Sequence, residues 1–449
     1  MIQPERVQAL NDGPVRGGEY VLYWMQASQR EDYNHALEYT VREGNRLGAP
    51  VVVGFGLTEG FPEANERHYA FMLEGLREVE VALRGRGIQL VVRRGHPDRI
   101  AEELASDACM VVTDRGYLRV QKQWRRSLAE RAPCRVVQVE TDVVVPVEVT
   151  SDKEEYAART IRPKIHKHLE GHLTPVRRTR PKRESLGMAL DGVDVQDVDG
   201  LLAGLDIDRG AGRVSAFRGG TANAKRLLRE FIRHRLEEYA ELRNDPSVDR
   251  VSHMSPYLHF GQISPVYIAL QVMRAGGPGR DTYIEELIVR RELSINFVHH
   301  NAKYDSYGAV PEWARSTLEA HRGDEREAVY RLEELEAACT DDPYWNAAQQ
   351  EMLVTGKMQG YMRMYWGKKI LEWVRDPEEA FGITLHLNNK YELDGRDPNS
   401  FAGVAWCFGK HDRPWGRRPV FGTVRCMTAG GLRRKFDMEG YLRKVEALV

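Results

Sequence analysis

The chain has 449 residues, enough for two or three domains, and a hydrophobic content of 42% is enough to bury real cores. Lys and Arg total 65 against 66 Asp and Glu, a formal charge of −1. That balance disfavours a nucleic-acid protein relying on global basicity, but leaves open a local cationic face on a neutral body. Mean hydropathy is −0.52, and apolar runs such as Ala49–Gly56 fall short of the ~20 residues a membrane-spanning helix needs, so no membrane role is expected. The opening residues hold no apolar stretch of signal-peptide length, and the expected location is the cytoplasm. The five cysteines (109, 134, 339, 407 and 426) form neither a C-x-x-C pair nor a close Cys/His set, so no metal site is expected and reduced thiols fit a cytosolic chain.

In chain order, Tyr20–Trp24, Val51–Phe55, Ile88–Val92, Met110–Thr113 and Val136–Val139 read as buried strands. Between them, Asn34–Leu47, Asn65–Arg84 and Pro97–Ala105 carry apolar residues at helical spacing. This alternation predicts a parallel, Rossmann-like sheet over 18–148, covered by helices on both faces. The stretch contains no G-x-G-x-x-G and no Walker loop, so its motifs assign it no chemistry. Residues 149–217 break the pattern. Arg159 to Arg183 holds nine Lys/Arg against one acid, Glu170, and reads either as a solvated interdomain linker or as a phosphate-contacting patch. From 218 to 449 helical periodicity takes over, with apolar faces over Ala222–Leu242, Tyr283–His299, Arg326–Ala338, Trp345–Val354 and Met358–Val374.

Several segments of this second half could carry chemistry. Val251-Ser-His-Met-Ser255 leads into Pro256, and Ser255 reads as an N-cap with proline at the first helical position. Glu285 and Glu286 with Arg290 and Arg291 form either a solvated salt-bridge face or a carboxylate facing a pocket. Trp366 and Trp373 lie two helical turns apart, about 10 Å along the axis, a spacing that suits core packing or electron relay. Leu387–Asn399 reads as a polar turn in which Asn388, Asp394, Arg396 and Asp397 line a cofactor site or form an exposed loop. Beyond it, Trp406 and Trp415 interleave with Arg413, Arg417, Arg418, Arg425 and Lys435, a combination that suits base stacking and phosphate pairing.

Four of these segments in order resemble the photolyase/cryptochrome family, and within it the class II cyclobutane pyrimidine dimer (CPD) photolyases. They are Tyr20-Val-Leu-Tyr-Trp-Met-Gln, Ser255-Pro-Tyr-Leu-His-Phe-Gly, Gly356-Lys-Met-Gln-Gly-Tyr-Met-Arg-Met-Tyr-Trp and Lys390-Tyr-Glu-Leu-Asp-Gly-Arg-Asp-Pro-Asn, and the resemblance covers nearly the whole chain. It implies an α/β domain followed by an all-helical FAD-binding and DNA-binding domain. The implied activity is light-driven repair, in which excited reduced FAD passes an electron to a dimer flipped out of duplex DNA. A second antenna chromophore, a deazaflavin or a folate, is compatible with the family, and the implied protein is a monomer with no obligate protein partner, associated with the nucleoid when bound to DNA.

Carried over by position, Tyr239 and the loop Val251, Ser252, His253, Met254 and Ser255 resemble contacts to the flavin phosphates and ribityl chain. Arg363 and Asp394 resemble the buried ion pair beside the isoalloxazine, with Gly395 and Arg396 next to it, and Asn388 the side chain facing flavin N5. Glu286 resembles the glutamate that bonds a dimer carbonyl, Met364 the methionine against the thymines and Trp406 the ring that stacks on the lesion. Trp345, Trp366 and Trp373 match the photoreduction relay, and Arg413, Trp415 and Arg425 the residues that enter the gap left by the flipped dimer. The Glu285–Glu286 pair leaves the glutamate register open by one, and Val289 and Arg290 stand where many members place a second pocket aromatic. The alternatives are a cryptochrome-type light sensor with the same flavin and no repair, and a light-independent nucleotide-binding protein.

Overall fold

The computed structural model describes residues 2–448. Six strands form one sheet: β1 (Val7–Ala9), β2 (Tyr20–Trp24), β3 (Val51–Leu57), β4 (Gln89–Arg94), β5 (Ala108–Asp114) and β6 (Arg135–Val139). Their order is β1-β6-β5-β2-β3-β4. Five run parallel, with Leu22 opposite Val52 on one side and Val111 on the other. β1 pairs antiparallel with β6, Val7 facing Val139, and is a sixth strand beyond the five the apolar runs predict. It is three residues long and largely exposed, so it carries no apolar run to read.

β2, β3 and β5 are buried throughout, because helices cover both faces of the sheet. Val21 and Tyr23 pack with the helices His35–Leu47 and Glu66–Arg84, whereas Tyr20, Leu22 and Trp24 pack on the opposite face with Pro97–Ala105 and Arg119–Arg131. Successive side chains leave a strand on opposite faces, so one run feeds two cores. Residues 149–217 are more ordered than a solvated linker. Ala158–His172 is helical, and Val195, Val198, Leu202 and Leu205 are buried in the first of those cores.

In the second half the expected helix over Ala222–Leu242 divides into Thr221–His234 and a single turn, Tyr239–Leu242, and only Leu332–Glu336 of the expected Arg326–Ala338 is helical. Three Asp-Pro pairs start the major helices. Asp342, Asp376 and Asp397 each accept hydrogen bonds from first-turn amides, and the following proline preorganises the first turn of Pro343–Thr355, Pro377–Tyr391 and Pro398–Cys407. With Gly360–Trp373 these helices enclose the largest core. The expected polar turn at 387–399 is half helix, since Asn388 lies in the last turn of Pro377–Tyr391. Between Arg280–Ile284 and Arg291–His300, residues Glu285–Arg290 form a π-helical turn. No helix of the described residues is long and apolar enough to cross a membrane.

Buried polar contacts lock the two halves together. Arg30 pairs with Asp142 at 2.6 Å and donates to the Gly261 carbonyl at 2.9 Å, Arg67 donates to the Tyr391 carbonyl at 2.8 Å, and Asn389 donates to Glu63 at 2.6 Å. Gly261 has φ +62°, and a Cβ there would sit 1.9 Å from the Ala27 carbonyl oxygen, so only glycine fits. Above this joint the carboxyl ends of β2, β3 and β5 open on a cavity of about 140 Å³. It lies where the strand order reverses between β2 and β5, the switch point at which ligands bind in open α/β sheets.

Candidate active site

The Gly360–Trp373 helix and the turn after Tyr391 bring Arg363 to two carboxylates: its Nη2 is 3.2 Å from Asp394 Oδ1 and 2.9 Å from Glu392 Oε2. Burial opposes ionisation of both acids. Arg363, the Ser255 hydroxyl and Lys357 nevertheless hold Asp394 below the usual carboxylate range, whereas burial pushes Glu392 up. Burial also lowers the Lys357 ammonium, despite attraction from Asp394 and Glu392. Glu392 and Lys357 were not singled out in the sequence, because only the fold shows that one arginine serves both acids. Gly395 is needed for the tight turn, since a Cβ would meet the Asn388 and Asn389 carbonyl oxygens at 2.9 and 2.8 Å.

The 251–255 loop joins this cluster from the other side. His253 has φ +57° and bonds Asp249 Oδ1 at 2.7 Å. Burial pushes His253 down, and the contact with His253 holds Asp249 at about 2 against the effect of its own burial. The Ser252 hydroxyl accepts from the Met254 amide at 3.4 Å, the Tyr283 ring lies 5.2 Å from Tyr239, and the Val251 carbonyl accepts from Arg235 at 3.3 Å. Met254, rather than Ser255, occupies the N-cap position. Ser255 is the first helical residue, and the helix Ser255–His259 is a single turn without a side-chain cap. Arg363 Nε, Asn388 Oδ1 and His253 Nδ1 are buried with no hydrogen-bond partner. Buried polar atoms left unpaired are costly, and heteroatoms of a bound flavin are the kind of partner they lack, so these residues fit FAD.

Arg396 stands apart from that cradle. It is 3% exposed, has φ +65°, donates to the Asn389 carbonyl at 2.7 Å, lies 3.0 Å from His68 Nε2, and faces the cavity between the halves.

The π turn directs its two glutamates differently. Glu285 is held by Arg162 at 3.0 and 2.7 Å and lies 3.5 Å from Arg290. Glu286 pairs instead with Arg243 at 3.1 Å, beside the Tyr239 ring. Arg243 is tied through its carbonyl to Gln359, which caps the helix bearing Arg363 and Met364. The Met364 carbonyl meets Cys407 Sγ at 3.9 Å, next to Trp406 on the adjoining helix. Arg290 lies with its guanidinium 5.7 Å from the Trp406 ring centroid. Glu286 is thus linked to the Met364 helix through Arg243 and Gln359, and that helix to the one bearing Trp406 through Cys407, with Arg290 against the Trp406 ring.

Trp345 stands between the two tryptophans whose spacing was visible in the sequence. Its ring is stacked on Trp366 at 6.2 Å with an 8° interplanar angle, and meets Trp373 edge-on at 5.4 Å. Trp345 Nε1 donates to the Trp366 carbonyl at 3.0 Å, and Trp366 Nε1 donates to Gln349 at 2.9 Å, which fixes both rings. Trp366 follows Arg363 by three residues on one helix, so the file starts beside the ion cluster. Further along the chain, Trp415 is 41% exposed between the guanidinium groups of Arg413, 5.3 Å away, and Arg425, 5.0 Å away. The backbone pairing of Trp415 with Thr423 closes that loop.

The cavity between the halves was not read from the sequence. Its lining, including Gln26, His68, Arg115, Trp124 and Arg396, comes from segments scattered over nearly 400 positions, and only the strand order could have flagged it.

Residues 21–182 match the family model described as DNA photolyase. The chain is 52% identical to a deoxyribodipyrimidine photo-lyase of Methanothermobacter thermautotrophicus, covering 100% of both chains, and 39% identical to one of Arabidopsis thaliana, covering 100% of this chain and 94% of that protein. Among solved structures, a class III photolyase of Agrobacterium tumefaciens aligns with TM-score 0.75 at 18% identity over 95% of this chain and 86% of that one. A Synechocystis cryptochrome aligns with TM-score 0.75 at 17% identity over 94% and 88%, and establishes the same fold.

Proposed function

Because the chain belongs to the DNA photolyase family, we propose that it repairs cyclobutane pyrimidine dimers in duplex DNA with light, through FAD held around Arg363, Asp394 and Asn388, on the class II pattern. The observation that carries this reading is the Trp366–Trp345–Trp373 file, which begins three residues from Arg363 and leads away from the ion cluster. When bound, FAD supplies light-driven transfer of one electron to the dimer and recovers it after the ring has opened.

The chain's own residues perform the remaining tasks. The Arg363–Asp394 pair, with Arg363 Nε unpaired, would hold the ring system, and Asn388, with Oδ1 unpaired, is the side chain assigned to N5. Tyr239, Ser252 and Ser255 line the phosphate and ribityl side, with Val251, His253 and Met254 acting through backbone. Glu286, which pairs with Arg243 rather than with Arg162, is the glutamate assigned to a dimer carbonyl, and a hydrogen bond to that oxygen strengthens as negative charge develops on it. Met364 packs against the thymines and Trp406 stacks on them, excluding water, while Arg413, Trp415 and Arg425 fill the gap in the duplex. The cavity at the strand ends, with Arg396 in its wall, is the place for a second, light-gathering chromophore of deazaflavin or folate type.

Glu286→Ala tests the assignment. It should keep flavin absorption and lower the repair yield by about two to three orders of magnitude, as losing one charge-stabilising donor does. Loss of flavin would make Glu286 structural, and an unchanged yield would transfer the role to Glu285.

A further inference from the structure

We propose that the first half of the Ala158–His172 helix, with Lys153 and Tyr156 just before it, is a second phosphate-binding rail for duplex DNA alongside the lesion pocket. This rests on the reading of a dimer-containing duplex as substrate.

The helix is bonded on both flanks to elements that flank the pocket. On one side the Tyr156 hydroxyl donates to the Asp412 carbonyl at 2.5 Å and the His411 ring bonds the Tyr156 carbonyl at 2.8 Å. Asp412 in turn accepts from Trp415 Nε1 at 3.1 Å and from the Arg413 amide at 2.8 Å. On the other side Arg162 grips Glu285, which lies 3.5 Å from Arg290, whose guanidinium lies over the Trp406 ring. A duplex delivering a dimer to Trp406 and filling its gap with Trp415 therefore runs past this helix.

The charges facing that path are free. Arg162 and Lys164 are taken by Glu285 and Glu155. Lys153, Arg159 and Lys167 are exposed, and none pairs with a carboxylate among the described residues. Arg159 and Lys167 lie eight residues apart on one helical face, about 12 Å along the axis, close to the axial length of three to four nucleotides of one strand. Tyr156, 50% exposed, extends the row toward Trp415. In a chain of net charge −1, three exposed cations without carboxylate partners within this short segment form a local field suited to phosphates.

The test uses the full-length holoprotein carrying Lys153→Ala, Arg159→Ala and Lys167→Ala together. It is titrated at several salt concentrations with a duplex bearing one thymine dimer and with the undamaged duplex. The slope of log K against log salt should flatten by about 0.9 for each phosphate no longer neutralised, and equally for both duplexes, because phosphate pairing carries no lesion information. Restoring a cation with Arg159→Lys in the triple background should recover about a third of the change, while unchanged flavin absorption reports an intact fold. An unchanged slope in the triple variant, with Arg413→Ala and Arg425→Ala still flattening it, overturns the rail alone. If neither set changes the slope, the duplex-binding reading fails and the rail with it.

Discussion

At the scale of the residue, Trp345 converts two tryptophans separated by two helical turns into a continuous file, because it enters between them from another helix. Trp366→Phe keeps a ring at the first step but removes the bond to Gln349, at a stability cost of about 1–3 kcal/mol. Phenylalanine is much harder to oxidise, so the variant should not photoreduce its flavin with an external donor, yet should repair at near wild-type yield once dithionite has reduced it. Photoreduction at the wild-type rate would make the file ordinary core. Arg290 bears on affinity instead. Its guanidinium covers part of the Trp406 ring, a contact of about 0.5–1 kcal/mol, and leaves one aromatic wall to the pocket. Arg290→Trp should supply a second wall. Stacking of one base is worth about 1–3 kcal/mol, so the ratio of damaged to undamaged duplex affinity should rise at least severalfold. A ratio that stays level or falls would place Arg290 outside the pocket.

At the scale of the element, the joint between the halves depends on a backbone position with no room for a side chain. Gly261→Ala forces a left-handed alanine and a clash with the Ala27 carbonyl, which should cost about 2–4 kcal/mol, visible as a lowered melting temperature. An unchanged melting temperature would mean the joint yields. Element by element, legibility followed burial. β2, β3 and β5 were readable because both faces are covered and every position is apolar or nearly so, whereas β1 is a short exposed edge. The break after His234 and the shortened Leu332–Glu336 helix escaped detection because helical spacing persists through turns. The π turn has no sequence signature at all, yet it sends Glu285 to Arg162 and Glu286 to Arg243. The Arg363–Asp394 pair and the Trp366–Trp373 spacing lay in motifs visible in the sequence. Glu392 needed the fold because it shares Arg363, and so did the placement of Arg396, which the sequence put beside the ion pair and the structure turns to the cavity.

At the scale of the whole molecule, the two halves enclose a cavity at the strand ends whose wall includes Arg396, two residues after Asp394 of the ion cluster. A chromophore there would absorb light and pass its energy to the flavin site. Ala64→Phe, which fills part of the lining, should remove a second absorption band while leaving flavin bands intact, and should lower repair per incident photon only at wavelengths the flavin absorbs weakly. Purified protein showing flavin bands alone, with an action spectrum equal to the flavin's, would count against a second chromophore. The decisive experiment is repair itself. The FAD-loaded, dithionite-reduced protein, mixed with a duplex carrying a single thymine dimer, should restore the two thymines under blue light and leave the dimer untouched in the dark. Dimers that persist under illumination, with the flavin reduced and the duplex bound, would contradict a photolyase and favour a light sensor built on the same fold.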